Sequence, residues 1–211
     1  SQPVLVQANM DTLTFLERYT LADGRDYAMF TDGYHKLKIC KFPEIYHITN
    51  IFAPYSNKNF LKIIDLSPNA LVGLLSNGDA VLIELSSLET NEYQGTELNI
   101  PEKLEGKKLF DIVKIDSQHF LGIDDYYTIV GIFRLEGTKV THQKIENISD
   151  QKVLGDVKEF YSKRSVEAYK VGDKVEVFLK FENKDLKDTS SPDIIKLHQS
   201  VYFRKVTLAL N

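Results

Sequence analysis

Turns recur in this chain at a nearly fixed spacing. Gly33, Gly78, the pair Asp124-Asp125 and Gly172 lie at intervals of about 45, 46 and 47 residues, each between two short runs rich in aliphatic and aromatic residues. A period near 45 residues suits a unit of four short antiparallel strands, and such a unit buries both of its faces only by stacking on neighbours. This spacing constrains the fold more than any single motif. It predicts an all-β chain of about four blade-like antiparallel β-meander units of a β-propeller. Residues 1–211 are expected to form a single β-propeller-like domain or a contiguous part of one. Propellers have about four to eight blades, so four units also suit part of a larger propeller, whose open faces more chain or a partner would cover. Turns spaced about 8 to 12 residues apart are also compatible with one or two immunoglobulin-like sandwiches.

The clearest unit is residues 60–85, FLKIIDLSPNALVGLLSNGDAVLIEL, which reads as three strands. Pro68 presets φ in the first turn, and Asn77-Gly78 between two apolar runs predicts a two-residue type I′ turn, because both residues tolerate positive φ. Further strands are expected near residues 4–6, 13–21, 27–30, 36–42, 46–52, 109–115, 119–123, 127–135, 140–145, 157–161, 165–169, 174–181 and 194–210. Residues 86–108 read as a polar connection without strands, and helical periodicity is almost absent.

Composition narrows the function. With 26 basic and 30 acidic residues the formal charge is -4, which argues against a surface given over wholly to nucleic acid or membrane while leaving room for a local basic patch. Cys40, the single cysteine, cannot form an intramolecular disulfide and suits a reducing nuclear or cytoplasmic compartment. There is no apolar run near 18 residues and no basic-then-apolar leader, so neither a transmembrane helix nor a signal peptide is expected.

Few residues suggest chemistry. Asp124 and Asp125, followed by Tyr126 and Tyr127, form the densest acid and aromatic cluster. Paired carboxylates can perform acid-base work or hold a hard cation at a propeller axis, yet adjacent residues on a hairpin point apart and Asp is a common turn residue. Five histidines, His35, His47, His119, His142 and His198, lack zinc-type spacing and read as single surface or edge residues. Cys40, in mid-strand, reads as an inert thiol. No phosphate-cradling glycine loop, dinucleotide fingerprint or nucleophile elbow is present. No metal, cofactor or small-molecule substrate is therefore expected.

Partner contacts are the better prospect. In the run from His35 to Lys41 cationic and apolar positions alternate, so Lys36 and Lys38, with His35 and Lys41 close by, form a basic row suited to RNA phosphates or an acidic partner; lysines also guard strand edges against pairing. Lys103, Lys107 and Lys108 read as solvated loop charge. Tyr34, Tyr55, Tyr126 and Tyr127 fall at turns and are candidate anchors for a protein partner.

Residues 23–52, DGRDYAMFTDGYHKLKICKFPEIYHITNIF, carry a more specific pattern: Asp23-Gly24, an apolar strand at 27–30, Thr31-Asp32, Leu37-Lys38-Ile39, Phe42-Pro43 and Tyr46. This stretch resembles a blade of the WD-repeat, non-catalytic subunit of the eukaryotic tRNA (guanine-7) methyltransferase. Where that family has Asp-Arg-Asp-Glu this chain has Asp32-Gly33-Tyr34-His35, and no tryptophan occurs anywhere. The resemblance implies a scaffold without an active site of its own, which supports a methyltransferase and helps place tRNA. The expectation is a non-enzymatic subunit of a hetero-oligomer, nuclear or cytoplasmic, with RNA contact through Lys36, Lys38 and Lys41. The alternative is a propeller-type metal-dependent hydrolase or lactonase using Asp124 and Asp125.

Overall fold

The computed structural model describes residues 14–20, 26–31, 37–42, 48–55, 58–88, 92–100, 103–149, 164–182, 193–198 and 201–211. The strands expected at residues 4–6 and 157–161 lie outside them. The described residues contain strands, turns, one short 3-10 segment at Leu85–Ser87 and a turn at Lys103–Gly106 in which Leu104, Glu105 and Gly106 all have positive φ, and no α-helix. The chain divides into two compact units, Ser1–Leu98 and Asn99–Asn211.

The first unit holds two sheets. In one, β1 (Thr14–Thr20), β2 (Asp26–Thr31), β3 (Leu37–Phe42) and β4 (Ile48–Phe52) run antiparallel in chain order, and β8 (Glu92–Gln94) joins β4 in parallel. In the other, β5 (Phe60–Ser67), β6 (Ala70–Leu75) and β7 (Ala80–Glu84) form the expected meander, closed by β9 (Thr96–Glu97). The segment read as strandless thus supplies the last strand of both sheets, crossing between them at Gly95. Two backbone bonds fix the crossing: Gly95 N–H donates to the Phe52 carbonyl at 3.1 Å and Leu98 N–H to that of Ala80 at 3.0 Å. Alternation sends Tyr27, Met29, Leu37, Ile39 and Ile51 of the first sheet into one core with Leu71, Leu75, Val81 and Ile83 of the second.

The turn at Asn77-Gly78 is not type I′. Gly78, with φ of 85°, has the only positive φ in it. Gly78 N–H donates to the Leu75 carbonyl at 2.9 Å, and Leu75 N–H to that of Asp79 at 2.8 Å. This is a three-residue loop, a type I turn followed by a left-handed glycine. Asn77 keeps negative φ because its side chain is engaged forward: its Oδ1 accepts the Asp79 N–H at 3.1 Å and its Nδ2 donates to Asp79 Oδ2 at 2.7 Å.

The second unit also holds two sheets. β10 (Asp111–Lys114), β11 (His119–Ile123), β12 (Ile129–Glu136) and β13 (Lys139–Asn147) form a meander in chain order. β14 (Ser165–Val171), β15 (Lys174–Glu182), β16 (Ile194–His198) and β17 (Val201–Ala209) form a sheet ordered β14-β15-β17-β16. The last two strands exchange places because β17 pairs with β15 from Lys174↔Ala209 to Glu182↔Val201, whereas β16 is only 5 residues long. Leu121, Ile123, Val130 and Ile132 pack on Val166, Val175, Val177, Leu179, Phe181 and Tyr202, so the two sheets share one core. The four-sheet, almost wholly antiparallel architecture agrees with the blade pattern read from the turns.

A glycine pair sets the opposite face of the third sheet. Gly122 stands across from Gly131, and the Phe133 ring lies over both. A Cβ on Gly131 would stand 2.5 Å from Phe133 Cζ and 3.0 Å from Leu104 Cδ2. Phe133 is fully buried and packs on Phe120 with ring centroids 5.1 Å apart, so it has no room to yield. Gly131→Ala is expected to cost about 1–3 kcal/mol by overpacking, read as a lowered urea midpoint at unchanged m-value.

Candidate functional site

The loop between β11 and β12 is organised by one carboxylate. Asp124 is fully buried. Its Oδ1 accepts the Thr128 N–H at 2.7 Å and the Ile129 N–H at 2.9 Å, and its Oδ2 accepts the Thr128 hydroxyl at 2.7 Å. Lys107 Nζ completes the network, donating to Thr128 Oγ1 at 2.9 Å and lying 3.5 Å from Asp124 Oδ2. These bonds hold a backbone that would otherwise be strained. Tyr127 sits at φ 56°, a left-handed conformation that costs an L-residue about 1–2 kcal/mol, and its N–H donates to the Asp124 carbonyl at 3.2 Å. Asp125 is exposed, so the two carboxylates occupy different environments. Lys107, read from sequence as solvated charge, is instead part of the loop's frame.

Tyr126 and Tyr127 diverge. Tyr126 is 41% exposed, whereas Tyr127 is buried; burial first, then the Asp111 carboxylate, pushes the Tyr127 phenol up, with Arg164 acting the other way. Lys107 Nζ stands 5.5 Å from the centre of the Tyr126 ring. Arg164, just ahead of β14, lies 4.2 Å from the Phe110 ring centre and 5.6 Å from that of Tyr127. Phe110 meets Tyr127 edge-on at 6.4 Å and is 39% exposed. Three separate stretches thus meet in a cluster of two exposed aromatic rings, each with a cation over it. The expectation that Tyr127 contacts a partner directly is corrected: its ring supports Phe110 from beneath. Phe110 and Arg164 were not singled out from the sequence, since nothing local joins two residues 54 positions apart.

The basic row is less open than its pattern suggests. Tyr34, His35 and Lys36 lie outside the described residues. Lys38 is half-buried, and its Nζ donates to Asn50 Oδ1 across the strand pair at 2.9 Å. Lys41 is also half-buried and has a partner of its own. Cys40 is buried, and burial pushes its thiol pKa up, as an inert thiol requires. Tyr55 is exposed, its hydroxyl donates to Glu97, and that bond pushes its pKa to about 12.

His119 is not a surface histidine; it is 7% exposed at the start of β11. Its Nδ1 lies 2.8 Å from Asp116 Oδ1, and the other carboxylate oxygen lies 3.3 Å from Lys170 Nζ. Desolvation alone would raise the Asp116 pKa, but bonds from the Gln118 amide and from the His119 ring and amide bring it down to about 2. The described residues contain no group of three or more His, Cys, Asp or Glu placed to hold a metal ion. They also contain no helix long and apolar enough to cross a membrane.

No family model matches the chain, and no curated protein matches it in sequence. Its likeness is to solved structures. Hydrazine synthase of Kuenenia stuttgartiensis matches at 8% identity and TM-score 0.51, over 92% of this chain and 50% of that one. AztD of Citrobacter koseri matches at 10% identity and TM-score 0.50, over 92% and 49%. Hsv2 of Kluyveromyces marxianus, a WD40-type β-propeller, matches at 8% identity and TM-score 0.46, over 88% and 56%. At such identities the likeness is one of fold, and the fold is that of propeller blades. The chain spans about half the length of the structures it matches.

Asp124→Ala, which leaves two buried amides and the Thr128 hydroxyl without their acceptor, is expected to cost about 2–4 kcal/mol by chemical denaturation. Asp116 gives a pH-dependent counterpart. Its folded pKa of about 2 lies below the usual 3.8, so its contribution is present above pH 4 and is lost as pH falls towards 2. Asp116→Asn should therefore cost about 1 kcal/mol at pH 7 after solvent screening, and urea titrations at pH 2 should no longer separate variant from parent.

Proposed function

We propose that this chain is a non-enzymatic β-propeller scaffold subunit of a larger assembly. The observation that carries the reading is the exposed pair of ring-and-cation contacts, Phe110 with Arg164 and Tyr126 with Lys107. Rigid aromatic rings backed by arginine are the typical anchors of a protein interface. The same loops hold their one buried carboxylate, Asp124, in backbone bonds, which suits a role in positioning a surface better than a role in turnover. Lys107 is already paired with the buried Asp124, so the cluster offers less free positive charge to a phosphate backbone.

The blade at residues 23–52 supports a finer reading, in which the partner is a tRNA methyltransferase and the assembly is nuclear or cytoplasmic. In that setting this chain positions the enzyme, and RNA contact falls to lysines around β3. Affinity purification from native extract, with partners identified by mass spectrometry, tests both levels. A stable heteromer containing a methyltransferase is the expected result, and Phe110→Ala with Tyr126→Ala should lower its recovery at least about tenfold. Recovery of the chain only as a monomer would overturn the scaffold reading; a heteromer without a methyltransferase would overturn the finer one alone.

A further inference from the structure

The outer face of the fourth sheet is apolar where a sheet face left to water would be polar. Eight large hydrophobic side chains are exposed among the described residues, and four of them, Tyr169, Val171, Ile195 and Leu197, lie on this sheet. Pairing registers show how they connect. Ile195 stands beside Phe203, Phe203 beside Lys180, Phe178 beside Glu167 and Lys205, and Tyr169 beside Glu176. The paired apolar residues therefore form one diagonal stripe that crosses all four strands, from Ile195 on β16 through Phe203 and Phe178 to Tyr169 and Val171 on β14. Its rings are already in contact: Phe178 lies 5.5 Å from Phe203 and 5.6 Å from Tyr169 between centroids. The opposite face of the sheet is the one packed in the core with Leu121, Val130 and Ile132.

Charges flank the stripe in an order that suits self-association. Lys180 and Glu167 lie on one side of Phe178, and Lys205 and Glu176 on the other. Glu176 is held 3.1 Å from Lys205, and Glu167 accepts the Tyr169 hydroxyl at 2.6 Å. A two-fold axis lying in the face and passing through Phe178 reverses the stripe. It sets Phe203 of one copy opposite Tyr169 of the other, Lys180 opposite Glu167, and Lys205 opposite Glu176. Each contact joins rings or opposite charges, as an isologous interface requires. Four strands about 4.8 Å apart, each about seven residues long, give a footprint of roughly 450 Å² per copy, at the low end for specific interfaces. We infer that a second copy of this chain docks on this face, sheet against sheet, in a dimer that dissociates at micromolar concentration. The inference does not depend on the scaffold reading above.

Sedimentation equilibrium of the full chain between about 1 and 200 µM tests it, with variants at Glu167 and Lys180, two exposed positions whose substitution leaves the core untouched. The parent should move from monomer to dimer across that range. Glu167→Lys alone and Lys180→Glu alone each set like charges at two symmetry-related contacts and should weaken association at least about tenfold. Mixing the two variants sets opposite charges at both contacts and should restore association to within about threefold of the parent. A monomer throughout the range, a dimer indifferent to both variants, or a mixture no stronger than either variant alone would each overturn the inference; unchanged circular dichroism of the variants shows that folding is not the cause.

Discussion

A β-sheet with apolar residues on both faces has to be covered on both, and most of what this chain does structurally follows from that requirement. β6 is buried at all 6 of its positions and β11 at all 5, so neither strand has a solvent side. No single sheet of four short strands can meet that demand alone. The answer in each unit is to set one sheet on another, with Met29, Ile39 and Ile51 against Leu71, Leu75 and Ile83 in the first, and Leu121, Val130 and Ile132 against Val166, Val177 and Leu179 in the second. Strand pairing satisfies the backbone and stacking satisfies the side chains; the loops are left to carry whatever the molecule presents.

That division of labour shapes the loop cluster of the second unit. Asp124 is spent on holding the backbone of its loop, Lys107 on holding Asp124 and Thr128, and Tyr127 on supporting Phe110. What reaches solvent is a pair of rings with cations over them. The charged residues nearest the candidate surface thus fix its shape. A contact surface built this way is preorganised, which lowers the ordering cost of binding.

Much of the fold was legible because turn chemistry and alternation are local. The meander from β5 to β7, the four strands of the third sheet and the hairpin at Gly172 can be placed from glycines and aspartates between β-branched runs. What was not legible depends on distant partners. β8 and β9 have a polar, short sequence, and they are strands because β4 and β7 offer open edges to pair with. The exchange of β16 and β17 depends on which of the two matches β15 in length. The type of the Asn77-Gly78 turn turned on a side-chain bond to Asp79 that competes with positive φ. At the site, Tyr126 was visible as a turn aromatic, but Arg164 over Phe110 joins residues that only the third and fourth sheets bring together. The lysine row failed as an open surface at Lys38 because Asn50 stands beside it on the next strand.

If uncovered apolar faces govern this chain, the fourth sheet should respond to association while the doubly covered sheet does not. Native-state hydrogen exchange followed by mass spectrometry at about 1 µM and about 200 µM measures this directly. Protection in β14, β15 and β17 is expected to rise with concentration while β11 and β12 stay at the same level in both samples. Equal protection of β14, β15 and β17 at the two concentrations, or a rise spread evenly over both sheets of the unit, would contradict it.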